Sequence, residues 1–108
     1  MTIEGIAGDM REGKPHTPGE LAEARMFLAG EYAYTGQQLS DILGRKPAVW
    51  NELRKTQKSD TATERVFQGT ADGLREMELR LKLKVIEKLL SALRTQLEIA
   101  VGESKNLF

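Results

Sequence analysis

The stretch LREMELRLKLKVIEKLLSALRTQLEIAV, from Leu74 to Val101, contains no glycine or proline and decides the fold. Within it Met77, Leu79, Leu81, Leu83 and Val85 alternate strictly with Glu78, Arg80, Lys82 and Lys84. Alternation with a period of two is the mark of a half-buried strand. Two features favour a helix instead. Good helix formers dominate the stretch. Nothing nearby offers a turn and a partner strand, without which a lone strand has nowhere to place its backbone hydrogen bonds. As one helix the stretch reaches about 42 Å, at 1.5 Å per residue.

Helical register divides the apolar residues between two faces. Leu74, Met77, Leu81 and Val85 fall on one side, with Leu79, Leu83 and Leu90 nearly opposite. Farther along, Ile86, Leu89, Leu90, Leu93, Leu97, Ala100 and Val101 form one broad stripe. A helix that is apolar on two sides must be covered on two sides. One helical hairpin covers the first; a second copy of the chain or another protein covers the other. The expected partner is therefore a homo-oligomer mate or a protein. Its interface draws on Leu74, Met77, Leu79, Leu81, Leu83, Val85, Leu89, Leu93 and Leu97.

Upstream, Thr61-Ala62-Thr63-Glu64 matches a capping box, and Ser59, Asp60 and Thr61 all suit an N-cap, so a helix begins near there. Gly69 and Gly73 either break it or admit a close crossing, which leaves open whether residues 60–101 form one helix. Pro47 is expected to open a short helix carrying Val49, Trp50 and Leu53 and ending near Lys58. Gly44 is a suitable stop for the helix before it, and Lys46, preceding a proline, disfavours continuation. That earlier helix starts at Thr17-Pro18-Gly19-Glu20, a capping box with proline at the first helical position. Its apolar face runs through Leu21, Leu28, Tyr32, Leu39 and Ile42 or Leu43. Residues 1–16, with Gly5, Gly8, Gly13 and Pro15, read as an extended arm. The expected fold class is all-α: an arm over 1–16, then one helical domain over 17–108 with a capped helix, a short helix and a long amphipathic C-terminal helix, oligomeric as a whole.

Composition narrows the function. The chain has 108 residues, no cysteine and one histidine, so thiolate metal sites, disulfide scaffolds and His-rich metal sites are excluded. No phosphate-cradling glycine loop, nucleophile elbow or zinc-protease helix motif occurs. Pairs such as Glu20 with Glu23 or Glu76 with Glu78 arise readily among 16 acids and read as solvated helix faces rather than catalysts. His16, just before the first helix cap, reads as a solvated arm residue rather than a ligand. The expectation is a non-enzyme with no cofactor, no metal and no small-molecule substrate. Met1–Met10 lacks the features of a signal peptide and no apolar run spans a bilayer, so a cytoplasmic setting without membrane contact is expected.

The 16 basic and 16 acidic residues cancel overall but are not evenly spread. Residues 45–58 carry Arg45, Lys46, Arg54, Lys55 and Lys58 against Glu52. Residues 80–94 carry Arg80, Lys82, Lys84, Lys88 and Arg94 against Glu87. Such blocks either neutralise phosphates, with Trp50 stacking on an unpaired base, or pair with the acidic blocks between them. A helix-turn-helix can be traced loosely over Gln37–Lys58 with Gly44 as the turn. The aromatic residues Phe27, Tyr32, Tyr34 and Phe67 read as core or interface anchors, and Phe108 as a residue able to insert into a neighbour.

In general style, short, cysteine-free, Gly-rich at the start and ending in a long Leu/Lys/Glu helix, the chain resembles small helical proteins of tailed phages. The order of elements and the basic stretch Arg45–Lys58 are similar to those of recombination mediators, oligomers that load a recombinase on single-stranded DNA. Small terminase subunits and scaffold-like proteins share the style. No sequence motif carries this resemblance, so it transfers no functional residue. The leading expectation is an assembly or adaptor protein acting through its C-terminal helix. The alternative is an oligomeric DNA-binding accessory, and a third reading is a regulator that plugs a partner with its arm.

Overall fold

The computed structural model describes residues 1–106, with side chains as far as residue 102. Leu107 and Phe108, and with them the idea of an inserting terminal aromatic, lie outside the described residues. Four helices follow one another: α1 (Ile3–Glu12), α2 (Pro18–Arg54), α3 (Asp60–Gln68) and α4 (Ala71–Asn106). There is no strand among the described residues, and the alternating segment Met77–Val85 is helical.

The first sixteen residues are not an extended arm. Thr2 caps α1, its Oγ1 accepting from the Gly5 N–H at 2.9 Å. At the other end Gly13 adopts φ 67°, the left-handed conformation that glycine enters without a Cβ clash. The N–H of Lys14 then reaches the Asp9 carbonyl at 3.0 Å and that of Gly13 the Met10 carbonyl at 3.1 Å, a Schellman close. Between these caps Ile3, Ile6, Ala7 and Met10 recur at helical spacing, and all four join the core. Burial of that stripe outweighs the helix-weakening glycines at positions 5 and 8.

The α2 cap forms as expected: the Glu20 N–H donates to Thr17 Oγ1 and the Thr17 N–H to Glu20 Oε1, both at 3.1 Å. The helix does not stop at Gly44, however, and no separate helix opens at Pro47. α2 continues through Pro47 to Arg54. Proline there removes one backbone hydrogen bond. Side chains immediately around it are held from outside the helix: Arg45 by Asp72, Lys46 by Glu64 and Glu76, Trp50 by Glu64. Tertiary contacts override the local stop.

α3 is capped by Ser59, whose Oγ accepts from the Ala62 N–H at 3.1 Å, rather than by Thr61. Residues 60–101 are not one helix. Thr70 starts α4, its Oγ1 accepting from the Gly73 N–H at 3.1 Å and donating to the Phe67 carbonyl at 2.6 Å. A Cβ at Gly73 would overlap the Phe67 carbonyl oxygen and lie 2.8 Å from the Gln68 Cα, so the sharp junction requires glycine there.

Two compact units divide the chain, Met1–Ala33 with Lys84–Phe108, and Tyr34–Leu83. In the first, Ile6 of α1, Leu21, Ala24 and Leu28 of α2, and Ile86, Leu89 and Leu93 of α4 form the core. Phe27, Leu90 and Leu97 pack against it. In the second, Leu39 and Ile42 of α2 meet Leu79 of α4, with Leu83 packed alongside. Phe67 of α3 is fully buried there, and the Lys46 ammonium lies 4.6 Å from its ring centroid. Thr35 fills the buried position of α2 expected for Tyr32, which is 39% exposed and whose hydroxyl donates to Glu87 at 3.0 Å.

Candidate docking face on the C-terminal helix

α4 is apolar on two opposite sides, as its register requires, and the two sides have different fates. Leu79, Leu89 and Leu93 are buried in the chain's own core, and Leu83 and Leu97 pack against it. These five are thus occupied within the chain's own core. On the far side Leu74 is 53% exposed, Met77 51%, Leu81 57% and Val85 45%. Their spacing of three, four and four residues keeps them on one line along the helix. Leu74, Met77 and Leu81 border a shallow groove of about 440 Å³ with Ala71, Arg75 and Glu78.

A polar border flanks this line. Arg75 Nη1 reaches Glu78 Oε2 at 2.9 Å, and Arg80 Nε reaches Glu76 Oε2 at 3.4 Å. Such i,i+3 and i,i+4 pairs hold charged side chains along the helix surface, leaving the apolar line open between them. Isolated exposed hydrophobic residues are ordinary on protein surfaces. Four in helical register beside a groove form a continuous apolar line.

The proposed nucleic-acid residues are distributed differently. Arg45 grips Asp72 with two 2.8 Å bonds, and Lys46 lies 3.4 Å from Glu64 and 3.3 Å from Glu76. Arg54 pairs with Asp60 at 2.9 Å and Lys55 with Glu52 at 2.8 Å. Trp50 is half-buried, its Nε1–H donating to Glu64 Oε2 at 3.0 Å, and is not an exposed stacking platform. Lys82 is also engaged. Contact with phosphates would require most of these groups to exchange partners. Lys58, Lys84 and Lys88 are exposed. The acids Glu64 and Glu76 are the residues that sequence reading missed. Each lies on a helix turn facing the basic block, and only the tertiary fold brings them to Lys46.

The other candidates are quickly placed. His16 is not a free arm residue: it lies 3.9 Å from Asp9 and 3.7 Å from Glu20, beside a cavity of about 320 Å³ floored by Ile6, Leu21 and Leu93. Glu20 titrates below its ordinary range, chiefly because it accepts the Thr17 backbone N–H and then through the Thr17 hydroxyl. Among the described residues no group of three or more His, Asp or Glu side chains is placed to hold a metal ion. No helix is long and apolar enough to cross a membrane among the described residues. The chain matches no protein-family model, no curated protein and no solved structure.

Proposed function

We propose that this chain works by binding rather than catalysis, as a helical assembly or adaptor protein whose docking element is the outward face of α4. One observation carries the reading. Leu74, Met77, Leu81 and Val85 stand about half exposed in line, on a helix whose opposite face already fills the core. Covering them removes apolar surface from water at about 25 cal/mol per Å², with no rearrangement of the core behind. The fit is to another helix laid along the groove, an arrangement anchored by apolar residues at just such spacing.

The test places a photo-cross-linking amino acid at Leu81 in the full chain, with Glu52 on exposed α2 surface as control, in the cells that make the protein. The reading expects a discrete protein adduct from position 81 and none from position 52. Absence of any adduct from position 81, or equal labelling at both, overturns it.

A further inference from the structure

Residues 3–12 fold as α1 rather than trail as an arm, and in doing so they enclose a cavity of about 320 Å³ against α2 and α4. All of its lining belongs to one compact unit, and none of it to the outward line of α4. We infer that this cavity is a binding site for a small amphiphilic amine, an aliphatic body carrying one primary ammonium group.

The floor selects the body. Ile6 of α1, Leu21 and Ala24 of α2 and Leu93 of α4 are buried against one another and still border empty space. Close-packed interiors leave few voids larger than a water molecule, whereas about 300 Å³ is where ligand pockets begin. These four side chains offer no hydrogen bond, so the part of an occupant that rests on them is hydrocarbon.

The rim selects the head. Asp9 of α1 and Glu20 and Glu23 of α2 border the cavity, and no lysine or arginine side chain does. The fold does not use these carboxylates up. Glu23 is exposed, and its side chain has no hydrogen bond or ion pair among the described residues. Lys14 and the His16 ring reach the two Asp9 oxygens only at 3.5 and 3.9 Å. His16 stands 3.7 Å from Glu20 Oε2, and all three distances lie at or beyond the limit of a hydrogen bond. Glu20 Oε1 accepts the Thr17 N–H at 3.1 Å, and its bonds to Thr17 keep this carboxyl below its ordinary range and anionic at neutral pH. Acceptor positions on three carboxylates thus stand open above a hydrocarbon floor. An ammonium brings three donors and the opposite charge; a carboxylate head would meet like charges.

The experiment titrates the isotope-labelled full chain with hexylamine at neutral pH, followed by amide NMR, with hexanol and hexanoate in parallel. Hexylamine should give saturable shifts at residues lining the cavity, Gly5, Ile6, Ala24 and Leu93 among them, with a dissociation constant on the order of millimolar. Hexanol should bind about tenfold more weakly and hexanoate not at all. Glu23→Gln, at an exposed position, should keep the helical content and bind hexylamine several-fold more weakly. Hexanoate binding as well as hexylamine, or Glu23→Gln binding it as well as wild type, overturns the acidic rim as the recognition element. Shifts that never saturate, or that spread equally to Glu52 and Glu98, overturn the site itself.

Discussion

Arg45 holds Asp72 in a two-pronged grip, Nε to Oδ2 and Nη2 to Oδ1, both at 2.8 Å, tying α2 just before Pro47 to the first turn of α4. The planar guanidinium matches a carboxylate in this geometry and an ammonium cannot. Hydrogen bonding to Arg45, aided by its charge, holds the Asp72 carboxyl below its ordinary range. The folded chain therefore gives up this proton at lower pH than the unfolded chain, and the contribution has a defined sign. It is fully present above the ordinary carboxylate value of about 4 and is lost as pH falls below it. Glu20, lowered by its bonds to Thr17, behaves in the same direction. Thermal melts should show stability falling from pH 5 to pH 2 or so, with Asp72→Asn flattening part of the decline. Arg45→Lys should recover less of the wild-type melting temperature than a simple conservation of charge implies.

Gly73 should be intolerant of any side chain. The Cβ of Gly73→Ala would strike the Phe67 carbonyl at the α3–α4 junction, and such overpacking costs about 1–3 kcal/mol. Gly30, in the middle of α2 with no atom near its would-be Cβ, is the counter-case. Gly30→Ala should stabilise by up to about 1 kcal/mol through helix propensity alone. Urea denaturation of the two variants checks the opposite signs.

Thr35 is fully buried and its hydroxyl has no hydrogen-bond partner. An unsatisfied buried polar group costs about 1–3 kcal/mol, and valine has nearly the same shape. Thr35→Val should accordingly raise stability by about 1 kcal/mol or more. An unchanged or lowered denaturation midpoint would mean that the hydroxyl does find a partner in solution.

The two faces of α4 should respond differently to truncation. Ile86 is fully buried, so Ile86→Ala should cost about 2–5 kcal/mol. Leu74→Ala, at an exposed position, should change the stability of an isolated copy by about 0.5 kcal/mol or less. Denaturant midpoints at low protein concentration separate the two.

What sequence could reveal was set by how local the deciding force is. The Thr17–Glu20 capping box and the split of α4 into Leu79 on one side and Leu81 on the other depend on neighbours three or four residues away, and both were legible. α1 was legible in principle. Thr2, the spacing of Ile3, Ile6, Ala7 and Met10, and Gly13 before Lys14 and Pro15 make a capped helix. The glycines at 5 and 8 outweighed that pattern in a reading by composition. Pro47 is the opposite case. Its helix persists because Lys46 and Trp50 meet Glu64, fourteen to eighteen residues away, and no local rule contains that contact. The same kind of non-local pairing committed Arg45 and Lys46 to carboxylates. The docking line was visible at once, but only the fold separated Leu74, Met77, Leu81 and Val85 from the leucines spent on the core.

The most direct test of the whole account is sedimentation of the fluorescently labelled full chain in extracts of the cells that make it, over a range of concentrations, for wild type and for Leu81→Asp. Leu81 is 57% exposed, so the aspartate should leave the helical content of each copy unchanged. The account predicts that the wild-type chain sediments above 12.1 kDa, in company with a second copy or another protein, while the equally helical variant stays at 12.1 kDa. Two chains with the same mass at every concentration, whether both single or both associated, would contradict it.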